Sequence, residues 1–569
     1  MAAPIISFQD YGFQYTAQAE PTLHHIHLDI YPGEKVLIAG ASGSGKSTIS
    51  RCINGLIPYA YPGKSTGKVL VDGQDVAESS IFALSHTVGT VLQDTDGQFI
   101  GLTVAEDIAF ALENECVEQE RMKDKVAQVA ELVDIGYHLS HAPHELSGGQ
   151  KQRVSLAGVL VDDVKVLLFD EPLANLDPAA GRITMELIDQ IQQQTGVTVL
   201  IIEHRLEDVL WRHVDRIVLM EEGHIIADMP AKELLCSDLL IQHGIREPLY
   251  LTALRYAGIP VTEELKPEHV ETLQLSEPQK HQVKDWMQRA ESHLVQKAEG
   301  EPLLEVEQLT FGYVPERNNL EEVSFTIRKG QMVSIVGKNG AGKSTLAKLI
   351  CGFEQPQSGR ILLRGRDLAG DTIKERAAHI GYVMQNPNQM ISKPMIWDEV
   401  ELALLGMDMT PEQRQERVEE TLQICGLHPF RKWPISALSY GQKKRVTIAS
   451  ILVRRPEILI LDEPTAGQDY RHYTDIMEFL RQLNGQGYTI LMITHDMHLM
   501  LEYTDRAIVL CEGKLLADTT ATHVLTEPEL VRSASLKETS LYSLGLACGI
   551  ENPQRFAESF IVWDREVGH

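Results

Sequence analysis

A nine-residue glycine-rich segment occurs twice in this chain of 569 residues. The first copy begins at Gly40 and reads GASGSGKST, and the second begins at Gly337 and reads GKNGAGKST. Each copy follows a short apolar run, at 36–39 or 333–336, and precedes a segment with a helical pattern. In such a strand-to-helix turn, glycine lets backbone N–H groups point inward around a phosphate chain, and the helix start adds the positive end of its dipole. The sequence therefore predicts two phosphate-binding loops, each with a lysine for the outer phosphates.

Other short motifs recur in the same order in the two halves of the chain. A loop at 58–65 is predicted to be longer in the first half, because the stretch 55–67 exceeds its match at 352–359. So many ordered matches indicate a duplicated domain. We predict a first domain at 1–260 and a second at 301–569, each with a helical tail, joined by a linker at 261–300. The recurring blocks are FQY at 13 and FGY at 311, VLQ at 91 and VMQ at 383, LSGGQ at 146 and LSYGQ at 438, FDEP at 169 and LDEP at 461, and IEH at 202 and ITH at 493.

The composition restricts what such a chain can do. A formal net charge of −28 argues against a broad attraction to nucleic acid. The seven cysteines form no C-x-x-C pair, which argues against a zinc or iron–sulfur site and favours reduced cytosolic thiols. The N-terminus lacks the pattern of a signal peptide, and no apolar run approaches the roughly 18 to 20 residues of a membrane helix. We therefore expect any role at a membrane to depend on a partner protein.

The pattern of apolar residues predicts an α/β fold in each half. Short aliphatic strands, for example at 166–169 and 198–202, alternate with longer amphipathic segments, which is typical of a mostly parallel sheet flanked by helices. The segments 104–113 and 117–135 have helical periodicity and predict a helical subdomain. The linker is rich in Glu, Gln, His and Lys, so we expect helix and loop acting as a solvated tether.

In order and twice over, this motif set resembles that of the ATPase subunits of ABC transporters, over nearly the whole chain. The segments that follow Gln93 and Gln385 look like the energy-coupling factor (ECF) branch, which imports vitamins and metal ions. The resemblance implies tandem P-loop NTPase (ABC ATPase) domains that use ATP and Mg²⁺. It also implies a peripheral position on the cytoplasmic face of the cell membrane, with two integral partners: a coupling transmembrane protein and a substrate-binding membrane protein. We expect no nucleic acid partner.

The resemblance assigns a role to each motif residue. Glu171 and Glu463 would orient or deprotonate the attacking water, and His204 and His495 would contact the γ-phosphate. Tyr15 and Tyr313 would stack on adenine. The Mg²⁺ set is Ser47, Gln93, Asp170, Ser344, Gln385 and Asp462. The nucleotide-binding set is Tyr15, Gly40, Ser42, Gly43, Gly45, Lys46, Ser47, Thr48, Gln93, Ser147 and Gly149 in the first half, and Tyr313, Gly337, Asn339, Gly340, Gly342, Lys343, Ser344, Thr345, Gln385, Ser439 and Gly441 in the second.

The blocks LSGGQ at 146 and LSYGQ at 438, here called the signature motifs, give a reason for two copies of the domain. Ser147 is predicted to begin a helix through 161, whose N-terminus suits an anion. In ABC ATPases this helix faces the nucleotide of the other domain, so the resemblance implies that the two domains pair and share their nucleotides. Tyr440 replaces the first glycine of the second signature. We therefore hypothesise two competent sites with unequal rates.

Two other functions fit parts of the pattern. A duplicated ATPase of a sugar or nucleoside importer is the nearer alternative, although such proteins often have one eroded site and both sites here look complete. A soluble two-domain ABC translation factor would have a basic linker, whereas this linker is slightly acidic. The cargo stays open among thiamine precursors, other vitamins, cobalt and nickel, because the motor subunit does not contact it.

Overall fold

The computed structural model describes residues 3–92, 96–174, 176–293, 300–314 and 317–567. These form two compact units, Met1–Val283 and Lys284–His569. The division between them falls inside the segment predicted as a linker, and the boundaries 1–260, 261–300 and 301–569 stay a prediction.

The first unit contains two sheets and a set of surrounding helices. Its strands are β1 (Ile6–Tyr15), β2 (Leu23–Ile30), β3 (Lys35–Gly40), β4 (Gly63–Val71), β5 (Gln74–Asp75), β6 (Val88–Val91), β7 (Val166–Asp170), β8 (Thr198–Ile202), β9 (Arg216–Glu221) and β10 (His224–Met229). Its helices are α1 (Lys46–Ile53), α2 (Leu56–Tyr59), α3 (Ile81–Ser85), α4 (Val104–Asn114), α5 (Gln119–Leu132), α6 (Gly148–Leu160), α7 (Pro178–Thr195), α8 (Leu206–Val209), α9 (Ala231–Cys236), α10 (Leu239–Gln242) and α11 (Leu249–Tyr256).

The central sheet of this unit has the order β10-β9-β3-β8-β7-β6. All neighbours in it are parallel except the edge strand β10. Strands β3 and β8 are buried along their whole length, which explains why they read as continuous apolar runs rather than alternating ones. A second, antiparallel sheet has the order β2-β1-β4-β5. The predicted α/β fold is confirmed, and it brings the carboxyl ends of β3, β7 and β8 to one edge.

The helical subdomain also forms, as α4 and α5 followed by α6. Helix α4 starts at a reciprocal cap, in which Thr103 accepts from the backbone N–H of Glu106 and the Glu106 carboxylate accepts from that of Thr103. Val104, Ile108 and Leu112 lie on its buried face.

Helix α12 (Glu277–Glu291) contains the point at which the chain divides into the two units.

The second unit repeats the order of strands. Its central sheet is β20-β19-β13-β18-β17-β16 and its antiparallel sheet is β12-β11-β14-β15, strand for strand as in the first unit. The strands are β11 (Pro302–Phe311), β12 (Leu320–Arg328), β13 (Met332–Val336), β14 (Ser358–Leu363), β15 (Arg366–Asp367), β16 (Ile380–Val383), β17 (Ile458–Asp462), β18 (Thr489–Ile493), β19 (Arg506–Cys511) and β20 (Lys514–Thr519). The helices are α13 (Lys343–Cys351), α14 (Ile373–Arg376), α15 (Ile396–Leu402), α16 (Pro411–Ile424), α17 (Tyr440–Leu452), α18 (Tyr470–Gly485), α19 (Met497–Tyr503), α20 (Ala521–Thr526), α21 (Pro528–Ser533), α22 (Ser540–Ala547) and α23 (Pro553–Val567).

Two sequence-based expectations differ from the structure. The extra residues at 58–65 do not form a simple loop: they complete the short helix α2 and lengthen β4, which pairs with β1 as far as Gly63 opposite Tyr15. The linker is not merely a solvated tether, because Leu265 is buried in the first unit and Trp286 in the second. The Trp286 ring makes edge contacts with the rings of Phe556 and Trp563, at centroid distances of 5.8 and 6.2 Å. Burial of these aromatic rings favours a single conformation of the chain around Trp286.

Within the described residues, no helix is both long enough and apolar enough to cross a membrane.

Candidate nucleotide sites

Glycine is required by the backbone of both phosphate loops. Gly40 and Gly337 have φ values of 154° and 144°, and a Cβ on them would lie 2.2 and 2.0 Å from the carbonyl oxygens of Met220 and Leu510. Gly43 and Gly340 also have positive φ, and Gly45 and Gly342 cap the following helices at φ values of 99° and 100°. Each loop therefore keeps its backbone exposed to a ligand at the carboxyl edge of the sheet, as the sequence predicts.

The lysines of both loops lie inside the turn. Lys46 Nζ donates to the carbonyl oxygens of Gly40 and Ala41, at 2.7 and 2.8 Å. Lys343 Nζ donates to those of Gly337 and Lys338, at 2.7 and 3.0 Å. Both lysines are largely buried, so each loop holds a positive charge at its centre. Ser42 and Asn339 lie on the exposed side of the loops, and Ser47, Thr48, Ser344 and Thr345 lie in the first turns of α1 and α13.

A serine and an aspartate meet beside each loop. Ser47 Oγ donates to Asp170 Oδ1 at 3.5 Å in the first unit, and Ser344 hydrogen-bonds to Asp462 in the second. Burial raises the pKa of both aspartates, partly offset at Asp170 by the charge of Arg51 and at Asp462 by a hydrogen bond from Tyr382, whose hydroxyl lies 2.8 Å away. Hydroxyl and carboxylate oxygens are ligands that Mg²⁺ prefers, so these residues fit the predicted metal. Gln385 is exposed two residues beyond β16, and Gln93 lies outside the described residues.

The predicted catalytic glutamates follow directly on β7 and β17. Both have a left-handed backbone, with φ of 50° at Glu171 and 46° at Glu463, which is uncommon for this residue type and concentrates at functional sites. Burial, and then the negative charges of Glu203 and Asp170, raise the pKa of Glu171 to about 7. A carboxyl group poised near neutrality is suited to take a proton from water.

The two histidines lie two residues beyond β8 and β18. In the second unit, His495 Nδ1 lies 2.8 Å from Glu463 Oε1. In the first, His204 Nδ1 lies 3.9 Å from Glu171 Oε1 and 3.1 Å from Glu203 Oε1. The sequence reasoning missed Glu203, whose side chain is fully buried. The sequence feature that could have revealed it is a charged residue directly after an apolar strand, where the second copy has Thr494.

The signature helices begin as the sequence predicts. Ser147 caps α6 by accepting from Gln150 N at 3.4 Å, and Ser439 caps α17 by accepting from Gln442 N at 3.3 Å. Gly149 and Gly441 lie in the first turns, where the helix N–H groups have no partner within the helix. Lys444, one turn farther along α17, is buried, and burial lowers its pKa to about 8.

The two tyrosines predicted to stack on adenine differ in their surroundings. The Tyr15 hydroxyl lies 3.1 Å from Thr48 Oγ1 and accepts from Arg51 Nη1 at 3.1 Å, which fixes the ring beside the phosphate loop. Tyr313 is half exposed, with its ring edge against Phe311 at 4.9 Å. Stacking on adenine stays a prediction for both rings, and Tyr15 is the more firmly held.

Comparison with known proteins agrees with this geometry. The sequence matches the ABC transporter family at residues 23–174 and 320–466, and a family described as ATP-binding cassette cobalt transporter at 237–311. An Enterococcus faecalis protein named as an ABC transporter ATP-binding protein is 60% identical over 100% of both chains. One from Clostridium perfringens is 56% identical over 99% of this chain and 98% of its own. The solved structure of cbiO1 from Clostridium perfringens, described as part of the ABC transporter complex cbiONQ, has 33% identity over 41% of this chain and 94% of its own, with a TM-score of 0.39.

The chain therefore belongs to the ABC transporter ATP-binding family. It carries two ABC domains, and domains of this family bind ATP and hydrolyse it to drive transport, working with membrane subunits.

Proposed function

We propose that this chain is the ATP-hydrolysing motor of an ECF-type importer for a vitamin, a vitamin precursor or a metal ion. The observation that carries the proposal is the presence of a complete set of hydrolytic groups in each unit. A buried lysine in a glycine loop, a serine–aspartate pair and a strained glutamate with a nearby histidine recur at the same sheet edge. Neither unit has lost its glutamate, which distinguishes the chain from duplicated ATPases with one eroded site.

In each unit, different residues perform different parts of phosphoryl transfer. Lys46 or Lys343 and the loop N–H groups bind and orient the phosphates, so that the developing charge meets donors already in place. Glu171 or Glu463 orients the attacking water and accepts its proton. His204 or His495 holds the γ-phosphate. Mg²⁺, when bound with ATP, neutralises charge on the phosphates, and Ser47 with Asp170, or Ser344 with Asp462, would hold it, with Gln93 and Gln385 as further ligands.

Pairing of the units is the second part of the proposal. The N-terminal end of each signature helix, capped by Ser147 or Ser439, would complete the nucleotide site of the other unit. Gly149 or Gly441 lies in the first turn of that helix. ATP binding would then favour the paired state, and hydrolysis would release it, because the nucleotide has a higher affinity for one state than for the other. We propose that this cycle moves helices of a coupling transmembrane partner at the cytoplasmic face of the membrane.

The ECF assignment is supported by two features of the sequence. The segments that follow Gln93 and Gln385 resemble those of the ECF branch, and residues 237–311 match a family described as ATP-binding cassette cobalt transporter. These features favour a vitamin or metal cargo over a sugar or nucleoside.

The test is transport by the complete system. The chain is purified with the membrane proteins that accompany it and reconstituted in vesicles, and uptake of labelled thiamine precursors, other vitamins, Co²⁺, Ni²⁺ and a sugar is compared with ATP supplied to the motor side. We expect uptake of one of the first four, and none with the Glu171→Gln/Glu463→Gln double variant. Uptake of the sugar would favour the alternative importer, and ATP turnover without any uptake would contradict the proposal.

A further inference from the structure

Two side chains of the second signature helix bind the loop that carries Gln385. Lys444 Nζ donates to the carbonyl oxygens of Met384 and Gln385, at 3.0 and 2.7 Å. The Tyr440 hydroxyl donates to the same Gln385 carbonyl at 3.3 Å. Residues 384–386, here called the glutamine loop, are therefore held on α17 by one buried ammonium and one phenol. Both donors are more than 50 residues away in sequence, so these bonds fix a tertiary contact rather than a local turn.

The matching positions of the first signature helix carry different side chains. Gly148 stands where the second unit has Tyr440 and offers no side chain, and Gln152 stands where the second has Lys444. Gln152 Nε2 donates instead to the carbonyl of Pro172 at 2.6 Å, and its Oε1 accepts from Thr184 Oγ1 at 3.0 Å. It thus ties α6 to α7 and to the segment after the catalytic glutamate.

A glutamine at position 444 could not repeat both contacts of Gln152. Ile476 stands where the first unit has Thr184, so no hydroxyl is available to a glutamine there. The second unit therefore uses different contacts on α17, and the signature tyrosine contributes one of them through its hydroxyl.

We propose that Tyr440 and Lys444 are positioning residues that fix the glutamine loop and thereby set the Mg²⁺ affinity of the second unit's nucleotide site. The Gln385 side chain is exposed, and its backbone carbonyl is the group that both donors hold. Partners that orient a metal ligand typically change metal affinity by about 10- to 100-fold when they are removed. This inference rests on the proposed role of Gln385 as an Mg²⁺ ligand.

The experiment measures Mg²⁺-dependent binding of a fluorescent ATP analogue rather than turnover. A Lys46→Ala background removes binding at the first loop, and Mg²⁺ is titrated at fixed analogue concentration. Tyr440→Phe and Lys444→Gln should each raise the Mg²⁺ concentration for half-maximal binding several-fold, and together about tenfold. Binding of the analogue in EDTA should not change. Amide hydrogen exchange at 384–391 without nucleotide should be faster in both variants, because the carbonyl groups of the loop no longer accept bonds from these side chains of α17.

The neighbouring lysine supplies the matched control. Lys443→Gln removes a positive charge from the same turn of α17 and should leave the Mg²⁺ midpoint unchanged. An unchanged midpoint in the double variant would overturn the proposal. If Lys444→Gln lowers the thermal midpoint of unfolding, Tyr440→Phe decides the matter, because it removes one hydroxyl and keeps the ring. A parent protein whose analogue binding ignores Mg²⁺ would instead contradict the proposed role of Gln385 itself.

Discussion

The two units share their backbone topology but surround their catalytic glutamates differently. In the first, Glu171 lies near a second buried carboxylate, Glu203, which is also the closer partner of His204. In the second, Thr494 occupies that position and His495 bonds Glu463 directly at 2.8 Å. Duplication has therefore preserved the reacting groups while the charge around them diverged. Two sites built from the same motifs need not react at the same rate.

The largest effect should come from the glutamates themselves. Glu171→Gln and Glu463→Gln each keep the shape of the side chain but remove the base, which typically costs about 10²- to 10⁴-fold at the affected site. We expect the two single variants to retain different fractions of the ATP turnover of the parent, measured as phosphate release at saturating Mg·ATP. The double variant should lose at least about 100-fold. Equal losses from the two single variants would refute the inequality of the sites.

Replacing the histidines should show how the surroundings of the two catalytic glutamates differ. His204→Ala is measured in a Glu463→Gln background and His495→Ala in a Glu171→Gln background, so that each reports on one glutamate. Both should lose turnover. We expect the loss from His495→Ala to be larger by roughly three- to tenfold, because it also removes a hydrogen bond to the base, worth about 1 kcal/mol. A larger loss from His204→Ala would show that the contact of His204 with Glu203 matters more than that of His495 with Glu463.

The pH dependence of kcat/KM at the first site should show the effect of the charge of Glu203 on Glu171. The pKa of Glu171 is about 7, so this base is protonated and inactive below that pH and active above it. In a Glu463→Gln background, kcat/KM should fall as the pH drops below about 7. Because the charge of Glu203 contributes to that raised pKa, Glu203→Gln should move the acid limb to lower pH.

A matched change in the second unit supplies the control. Thr494→Ser, measured in a Glu171→Gln background, alters the corresponding position without adding a charge, and the acid limb should stay where it is. A first-site profile that is the same with and without Glu203 would contradict the electrostatic interpretation.

The parts of the site that the sequence predicted are those with local causes. The glycines and lysines of the loops act through a few adjacent residues, and each aspartate ends an apolar strand that the glutamate directly follows. The sequence missed Glu203, Tyr382 and Lys444 because their partners come from other elements. Lys444, for example, meets a carbonyl 59 positions away. The order of strands in the sheet brings such groups together, and no local pattern reports which side chain the fold will bury beside a catalytic one.

The smallest effect concerns stability, and its sign follows from the raised pKa. The pKa of Glu171 is raised from an ordinary value of 4.5 to about 7, so the folded state binds this proton more tightly; the resulting stabilisation is complete below about pH 4.5 and is lost as the pH rises through about 7. Glu171→Gln removes this buried charge and should stabilise the protein at pH 8 by roughly 1 to 3 kcal/mol, with little change at pH 5. Thermal unfolding without nucleotide at the two pH values measures the difference. Destabilisation by the substitution at pH 8 would mean that hydrogen bonds to the ionised carboxylate outweigh the cost of burying it beside Glu203. The contrast between the two units would then lie in hydrogen bonding instead of charge.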